Sequence, residues 1–211
     1  MDVKVKNRRV KSVSRNLPLE HRRGAPGSQS RAHGNVLLAF GANSDGPWGA
    51  PAETFARALA ELERHGVRLT SVSPLYETVA VGQTRQAPYL NGVALVTTSL
   101  PAPALLRLMK QIEARAGRRG GRPWGSRTLD LDIIDYKGLI SNWRLRRREW
   151  RQTGARPLML PHPMAHERPF VLKPLLDVAP NWRHPTLQRS ARELWRGVAS
   201  RREGRVLRRL P

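Results

Sequence analysis

The first apolar segments of the chain combine a strand pattern with a helix pattern. Consecutive apolar residues over 36–40 predict a short buried strand, which Gly41 is expected to end. A helix is predicted from about Pro51, because proline suits the first helical position, to a stop at Gly66. The apolar face of this helix, at the i, i+4, i+7 spacing, consists of Phe55, Leu59 and Leu62.

The same succession of strand and helix follows a second time. A β-rich segment covers 67–78, a strand covers 89–98, and a helix spans 103–116 before Gly117. One stripe of that helix is apolar and consists of Leu105, Met109, Ile112 and Ala116. A further strand over 128–136 completes the order β-α-β-β-α-β. This order predicts an α/β (α+β sandwich) protein with a ferredoxin-like core, an antiparallel-rich sheet and flanking helices.

Basic segments flank and interrupt one expected folded domain, which covers 35–200. Residues 1–34 carry nine basic and two acidic side chains and few apolar ones, which predicts a disordered extension. An insert over 142–156 contains six arginines and is expected to be a mobile loop. Residues 201–211 form a second basic tail.

Near the C-terminus of the domain the sequence gives two further local signals. Residues 170–176 are a short apolar segment that follows a stretch rich in proline and histidine. A helix is predicted from Ser190, because Ser190 and Glu193 have the spacing of a capping box.

Composition narrows the classes of protein that fit this sequence. The formal net charge is +22, and about half of the excess lies in the two tails, so any affinity for polyanions is expected to be weak. The chain has no cysteine, which excludes disulfides and thiolate zinc sites, and no apolar run approaches the ~18 residues of a membrane span. We expect a cytoplasmic protein. An organellar transit peptide or a misassigned start codon are the alternative explanations for residues 1–34.

Two aspartates within 124–133 carry the pattern most informative about chemistry. Asp130 and Asp132 alternate with apolar residues, so in a strand both carboxylates point away from the core. Roughly 6.5 Å apart along a strand, they suit metal ions ~3.5–4 Å apart, and oxygen ligands favour Mg²⁺ bound with a phosphate. A half-exposed strand with an acidic outer face is the alternative, but the nearby Arg127 favours phosphoryl transfer. Asp135 breaks the alternation and is predicted to lie at the surface.

Loops on either side of this strand supply candidate phosphate contacts. The loop over 117–125 is rich in Gly and Arg but lacks the lysine and the following helix of a P-loop. It is interpreted as a flexible lid over a nucleotide, with a plain mobile loop as the alternative. In the Pro-rich loop after the strand, His162, His166 and Arg168 are candidate triphosphate contacts, and the prolines argue against a helical zinc pair.

Aromatic and amide side chains form a second candidate surface. Tyr89 and Asn91 share one face of the strand 89–98 and suit stacking on, and hydrogen bonding to, a planar heterocycle. Phe170 suits either stacking or the core.

Together these segments resemble the 6-hydroxymethyl-7,8-dihydropterin pyrophosphokinase family, from Val36 to Pro185. The motifs that carry the resemblance are Phe40–Asn43, Tyr76–Thr78, Pro88–Asn91, Trp124–Ile133 and Pro161–Phe170. The resemblance implies a ferredoxin-like α/β fold, ATP as co-substrate and two Mg²⁺ ions. It also implies transfer of the β,γ-diphosphate of ATP to the hydroxymethyl group of a reduced pterin, which leaves AMP. We expect a monomer whose partners are these small molecules.

The resemblance also implies roles for individual residues. The metal ligands are Asp130 and Asp132, and Arg118 and Arg127 complete the catalytic set. Contacts to the ATP phosphates are implied for Arg127, His162 and Arg168. Contacts to the pterin are implied for Thr78, Tyr89, Asn91, Trp124 and Phe170. Arg119 and Arg122 are alternatives to Arg118 as the lid arginine.

The chain departs from the family pattern at positions beside the site, and two other classes of protein fit the sequence less well. Pro123 stands where the family often has arginine, Ser126 stands where proline is usual, and valines and alanine over 79–81 replace prolines. An RNA-binding domain on the same scaffold is disfavoured because the aromatic-rich strand motif is missing. An inactive relative that serves as an interaction module is disfavoured because both aspartates are present.

The N-terminal extension gives a first prediction. Deletion of residues 1–34 is expected to leave the turnover of diphosphate transfer unchanged, because the predicted domain begins at residue 35. Steady-state rates of the full and shortened chains check this. A large drop in the shortened chain would show that the extension contributes to the site.

Overall fold

The computed structural model describes residues 34–82, 86–118, 125–143 and 157–210. In chain order its elements are β1 (Asn35–Ala42), α1 (Pro51–Arg64), β2 (Val67–Val72), β3 (Tyr76–Thr78), β4 (Tyr89–Thr98), α2 (Ala102–Arg115), β5 (Asp130–Tyr136), α3 (Pro169–Val178), α4 (Ala191–Arg196) and β6 (Val206–Arg209). The predictions for the extension 1–34, and for most of the lid 117–125 and of the insert 142–156, lie outside the described residues.

The described strands form one antiparallel sheet with the order β5-β1-β4-β3-β6, and β2 also pairs with β4. β2 pairs with the C-terminal half of β4 and β3 with its N-terminal end, so the β-rich segment predicted over 67–78 is one interrupted strand. Counted this way, the order of the first four strands is that of the ferredoxin-like arrangement, which confirms the predicted fold. β6 lies in the segment that was expected only to be a basic tail.

Helices cover both faces of the sheet. α1 and α2 pack on one face, where Leu38, Phe40 and Leu131 meet Leu62 and Met109. α3 packs on the other face, where its Val171 and Leu175 meet Leu37, Val93 and Ile134 of the sheet. The apolar stripes predicted for α1 and α2 are confirmed, and the apolar segment over 170–176 lies within α3.

Two local expectations at helix and strand ends have clear outcomes. The capping box at Ser190 is confirmed, because Ser190 Oγ accepts from the Glu193 amide at 3.2 Å and Glu193 Oε2 accepts from the Ser190 amide at 2.7 Å. The expectation that Gly41 ends β1 was wrong, since β1 continues to Ala42. A Cβ at Gly41 would lie 2.7 Å from Asn91 Oδ1, so glycine is required here for close approach and not for a stop.

Asp135 is buried, so its predicted surface position was wrong. The pairing of β1 with β5 shifts register between Leu37 and Leu38, which leaves Ile134 as an extra residue in β5. This bulge places Asp135 on the α3 face of the sheet, beside Leu37, where it is only 7% exposed. Its carboxylate accepts from Trp182 Nε1 at 2.7 Å and from the Gly138 amide at 3.0 Å. Burial raises the pKa of Asp135, and these hydrogen bonds offset part of that effect.

Among the helices of the described residues, none has both the length and the apolar character that crossing a bilayer requires.

The Asp135 contacts predict a stability difference between two substitutions. Asp135→Ala is expected to lower the free energy of unfolding by about 1–3 kcal/mol, because the Trp182 N–H loses its acceptor. Asp135→Asn keeps an acceptor oxygen and removes a buried charge, so a smaller loss is expected. Urea denaturation at neutral pH measures both. Equal losses for the two variants would contradict the assigned role.

Candidate active site

A cleft of about 330 Å³ opens on the α3 face of the sheet. Its floor is the inner strand β1, where two small residues, Ala39 and Gly41, leave the backbone uncovered. Gly41 lies in register between Asp130 of β5 and Asn91 of β4, and Ala39 lies opposite Asp132. Because side chains alternate along a strand, both aspartates and Asn91 point to this same face. The sheet therefore brings Asn91, Asp130 and Asp132 together across the uncovered backbone of β1.

Most of the residues singled out in the sequence line this cleft. The lining includes Thr78, Tyr89, Asn91, Arg127, Asp130, Asp132, Arg168 and Phe170. Arg118 and His162 lie just behind it, each beside one of the two aspartates. Trp124, Arg119 and Arg122 lie outside the described residues. His166 packs against the rings of Trp143 and His184 instead of lining the cleft.

Asp130 lies between two arginines. Arg118 Nη1 donates to Asp130 Oδ1 at 2.7 Å, and Arg127 Nη1 lies 3.6 Å from Asp130 Oδ2. Burial alone would lower the pKa of Arg118, but the carboxylates of Asp130 and Glu113 raise it above its usual value. Arg118 is therefore a fixed positive charge beside the first aspartate.

A buried glutamate holds this arrangement in place from below. Glu113 on α2 is 2% exposed and accepts from the Leu131 amide at 2.7 Å and from Lys110 Nζ at 2.8 Å. It also pairs with Arg118. Burial raises the pKa of Glu113, against the opposing effect of Lys110. One carboxylate thus ties α2 to the backbone of β5 and to the arginine that contacts Asp130.

Asp132 is held ionised by its surroundings. Burial disfavours its charge, but His162, Lys110 and Arg168 outweigh that effect and hold the pKa of Asp132 below its usual value. His162 Nε2 lies 3.9 Å from Asp132 Oδ2, and the His162 amide donates to the Ile134 carbonyl at 2.9 Å. The loop that carries His162 is therefore fixed to β5 beside the carboxylate.

The donor set fits magnesium shared with a phosphate ligand. The side chains of Asp130 and Asp132 are 30% and 35% exposed and offer hard carboxylate oxygens to the cleft. Within the described ranges, no cluster of three or more His, Cys, Asp or Glu side chains forms a complete protein cage. Mg²⁺ typically keeps water and substrate phosphate oxygens beside one or two carboxylates, which agrees with a site of two aspartates.

The other end of the cleft offers an aromatic surface and hydrogen-bonding groups. Asn91 Nδ2 donates to Thr78 Oγ1 at 2.8 Å, and both side chains are buried. Tyr89 donates to the Gly125 carbonyl at 3.1 Å, and burial raises the pKa of Tyr89. Phe170 begins α3 across the cleft, with the Arg168 guanidinium 5.5 Å from its ring centroid. This end suits a flat, polar-edged ring.

Three residues that contribute to the cleft, Asn43, Arg201 and Glu203, were assigned no role from the sequence. Asn43 Oδ1 accepts from the Arg127 amide at 2.8 Å and its Nδ2 donates to the Ala87 carbonyl at 3.2 Å, so it fixes Arg127 and the chain before β4. The signal available in the sequence was that Asn43 ends the Phe40–Asn43 motif of the family. Arg201 and Glu203 also line the cleft, and no sequence pattern pointed to them.

Comparison with known proteins gives a family match. Residues 37–180 match the family model described as 7,8-dihydro-6-hydroxymethylpterin-pyrophosphokinase. A protein of Bacillus subtilis named 2-amino-4-hydroxy-6-hydroxymethyldihydropteridine pyrophosphokinase is 42% identical over 128 residues, which cover 60% of this chain and 70% of that one. A protein of the same name from Synechocystis is 38% identical over 129 residues, 61% of this chain. The chain spans only 60% of the length of the Synechocystis protein.

A solved structure shows the same fold at low identity. The crystal structure of a Plasmodium falciparum HPPK-DHPS triple mutant aligns with 82% of this chain and 45% of its own, with a TM-score of 0.60 and 15% identity. At this identity the likeness concerns the fold alone.

Proposed function

Because the chain belongs to the 7,8-dihydro-6-hydroxymethylpterin-pyrophosphokinase family, we propose that it transfers the β,γ-diphosphate of ATP to the hydroxymethyl group of 6-hydroxymethyl-7,8-dihydropterin. The observation that carries the proposal is the shared floor of the cleft. Gly41 stands in register between the metal-ligand type residue Asp130 and the amide of Asn91. The groups proposed to bind phosphate and heterocycle therefore lie in one row of the sheet, which supports the proposal.

The charged end of the cleft would hold the triphosphate. Arg127 and Arg168 line it, and Arg118 and His162 stand beside the two aspartates. Guanidinium groups bind phosphate oxygens through paired, charge-assisted hydrogen bonds. Four basic groups around two carboxylates would position the phosphates and oppose the charge that develops during transfer.

The aromatic end would hold the pterin. Tyr89 and Phe170 offer ring faces for stacking, and Asn91 and Thr78 offer donors and acceptors for the polar edge of the ring. The hydrogen bond between Asn91 and Thr78 fixes the orientation of both side chains before a ligand arrives. The assigned role of Trp124 in covering the pterin stays a prediction from the sequence.

In the proposed reaction the pterin hydroxyl oxygen forms a bond to the β-phosphorus of ATP. The bond from the β-phosphorus to the oxygen of the α-phosphate breaks, AMP leaves with that oxygen, and the hydroxyl proton is released. Two Mg²⁺ ions, held by Asp130 and Asp132, would neutralise phosphate charge when bound. Arg118 and Arg127 would assist by binding phosphate oxygens next to the same carboxylates.

We also propose that the enzyme acts as a monomer in the cytoplasm on small-molecule substrates. The basic tails are expected to give only a weak, salt-sensitive affinity for polyanions.

Substitution of either aspartate tests the proposed metal ligands. Asp130→Ala and Asp132→Ala are each expected to lower kcat by roughly 100-fold or more, because a lost metal ligand removes several kcal/mol of charge stabilisation. Both should stay folded, since each side chain faces the cleft and not the core. Circular dichroism and thermal unfolding, measured with the kinetics, check both parts.

Asp45 offers a matched control, because it is an exposed aspartate that does not line the cleft. Asp45→Ala is expected to keep wild-type kinetics. Unfolding of the Asp130 or Asp132 variants at room temperature, or full activity in either, would contradict the proposed placement.

The deciding experiment measures the products formed from ATP and Mg²⁺, with and without 6-hydroxymethyl-7,8-dihydropterin. The expected result is AMP that forms only with the pterin, and no ADP, because the diphosphate moves as one unit. A folded chain that binds ATP but forms no AMP would refute the proposed activity.

A further inference from the structure

The C-terminal wall of the cleft, residues 201–206, lies outside the part of the chain that matches the family model, which ends at residue 180. Arg201 and Glu203 line the cleft beside Phe170 and Val79. This segment joins α4 to β6, and β6 is the edge strand next to β3. A part of the chain beyond the family match thus borders the proposed substrate site.

One side of this wall is fixed to β3. Val206 pairs with Thr78, and the Val79 amide donates to the Arg205 carbonyl at 2.9 Å. Thr78 and Val79 both line the cleft at its aromatic end. The position of the wall is therefore coupled to residues proposed to contact the pterin.

The other side of the wall reaches the loop before α3. Arg201 Nη1 donates to the Glu167 carbonyl at 2.9 Å, and Glu167 and Arg168 line the cleft. The wall thus connects β3 to the loop that carries Arg168. Movement of either boundary would change the width of the aromatic end.

Gly204 packs directly against the ring of Phe170. Its φ of +67° lies in the left-handed region that favours glycine. A Cβ at this position would lie 2.5 Å from Phe170 Cδ1 and 3.1 Å from Cε1. Any larger residue at 204 would force the ring of Phe170 or the backbone of the segment to shift.

We propose that residues 201–206 form a wall that determines how tightly and how selectively the pterin binds, with Gly204 setting the position of Phe170 and Arg201 tying the wall to the Glu167 loop. This inference rests on the proposed function. The wall packs directly on Phe170 through Gly204, whereas it reaches Arg168 only through the backbone of the Glu167 loop. The effect of the wall is therefore expected to be larger on the pterin than on ATP.

Gly204→Ala tests the contact with Phe170, and Gly66→Ala is its matched control. Gly66 also has a positive φ, +78°, but a Cβ there would meet no atom within 4 Å. Gly204→Ala is expected to raise the KM for the pterin about tenfold and to leave the KM for ATP within about twofold. Gly66→Ala is expected to change neither. Equal pterin KM values in the two variants, or an equal rise of both KM values in Gly204→Ala, overturn the inference.

A second pair of variants covers the case in which Gly204→Ala fails to fold. Arg201→Ala removes the bond to Glu167, whereas Arg192→Ala removes an exposed arginine of α4 that lies outside the wall and does not line the cleft. Thermal unfolding establishes that each variant is folded. Only Arg201→Ala is expected to raise the KM for the pterin severalfold. Equal pterin KM values for the two variants overturn the role of Arg201.

Equilibrium binding separates this inference from the proposed function. Pterin fluorescence is titrated with the full chain, Mg²⁺ and a non-hydrolysable ATP analogue, so no turnover is needed. A wild-type chain that binds no pterin overturns the proposed function and the inference together. If the folded Gly204→Ala and Arg201→Ala variants bind the pterin as tightly as the wild-type chain does, the inference alone is overturned.

Discussion

The cleft depends on the absence of a side chain at Gly41. This residue is paired with Asp130 on one side and with Asn91 on the other, so all three share one row of the sheet. A Cβ there would collide with Asn91 Oδ1 at 2.7 Å, and it would fill the space between the charged and the aromatic ends. The close, bare backbone of β1 lets the side chains of β5 and β4 face one shared cleft. The helix α3 then has only to cover the open side of that row.

At the charged end, a chain of ion pairs connects the buried Glu113 to Asp130. Glu113, which is buried under β5, contacts the Leu131 amide and Arg118, while Arg118 contacts Asp130. The carboxylate proposed to bind metal is therefore paired with a cation of the protein itself. This pairing avoids leaving a carboxylate with no positive partner, which would be costly where water is partly excluded. The buried acid on α2 thus links helix packing to the readiness of the site.

Local patterns predicted the elements better than the contacts between them. The apolar stripes of α1 and α2 and the alternation around Asp130 and Asp132 are properties of consecutive residues, and they reappear in the structure. The position of Asp135 on the α3 face depends on a bulge in the pairing of β5 with β1, which no pattern within β5 encodes. The clamp by Asn43 on Arg127 joins residues 84 positions apart. Such long-range contacts follow from register and not from local spacing.

The two carboxylates of the cleft and the contact between Phe170 and Gly204 come from different parts of the chain. The aspartates and the floor belong to β1 and β5, inside the βαββαβ core, where a change of position would disturb several layers of packing. Phe170 and Gly204 belong to segments added after that core, which contact the sheet from its open face. Changes there can alter the width of the aromatic end without moving the carboxylates. A fold with this division could vary the segment around Phe170 while Asp130 and Asp132 keep their positions.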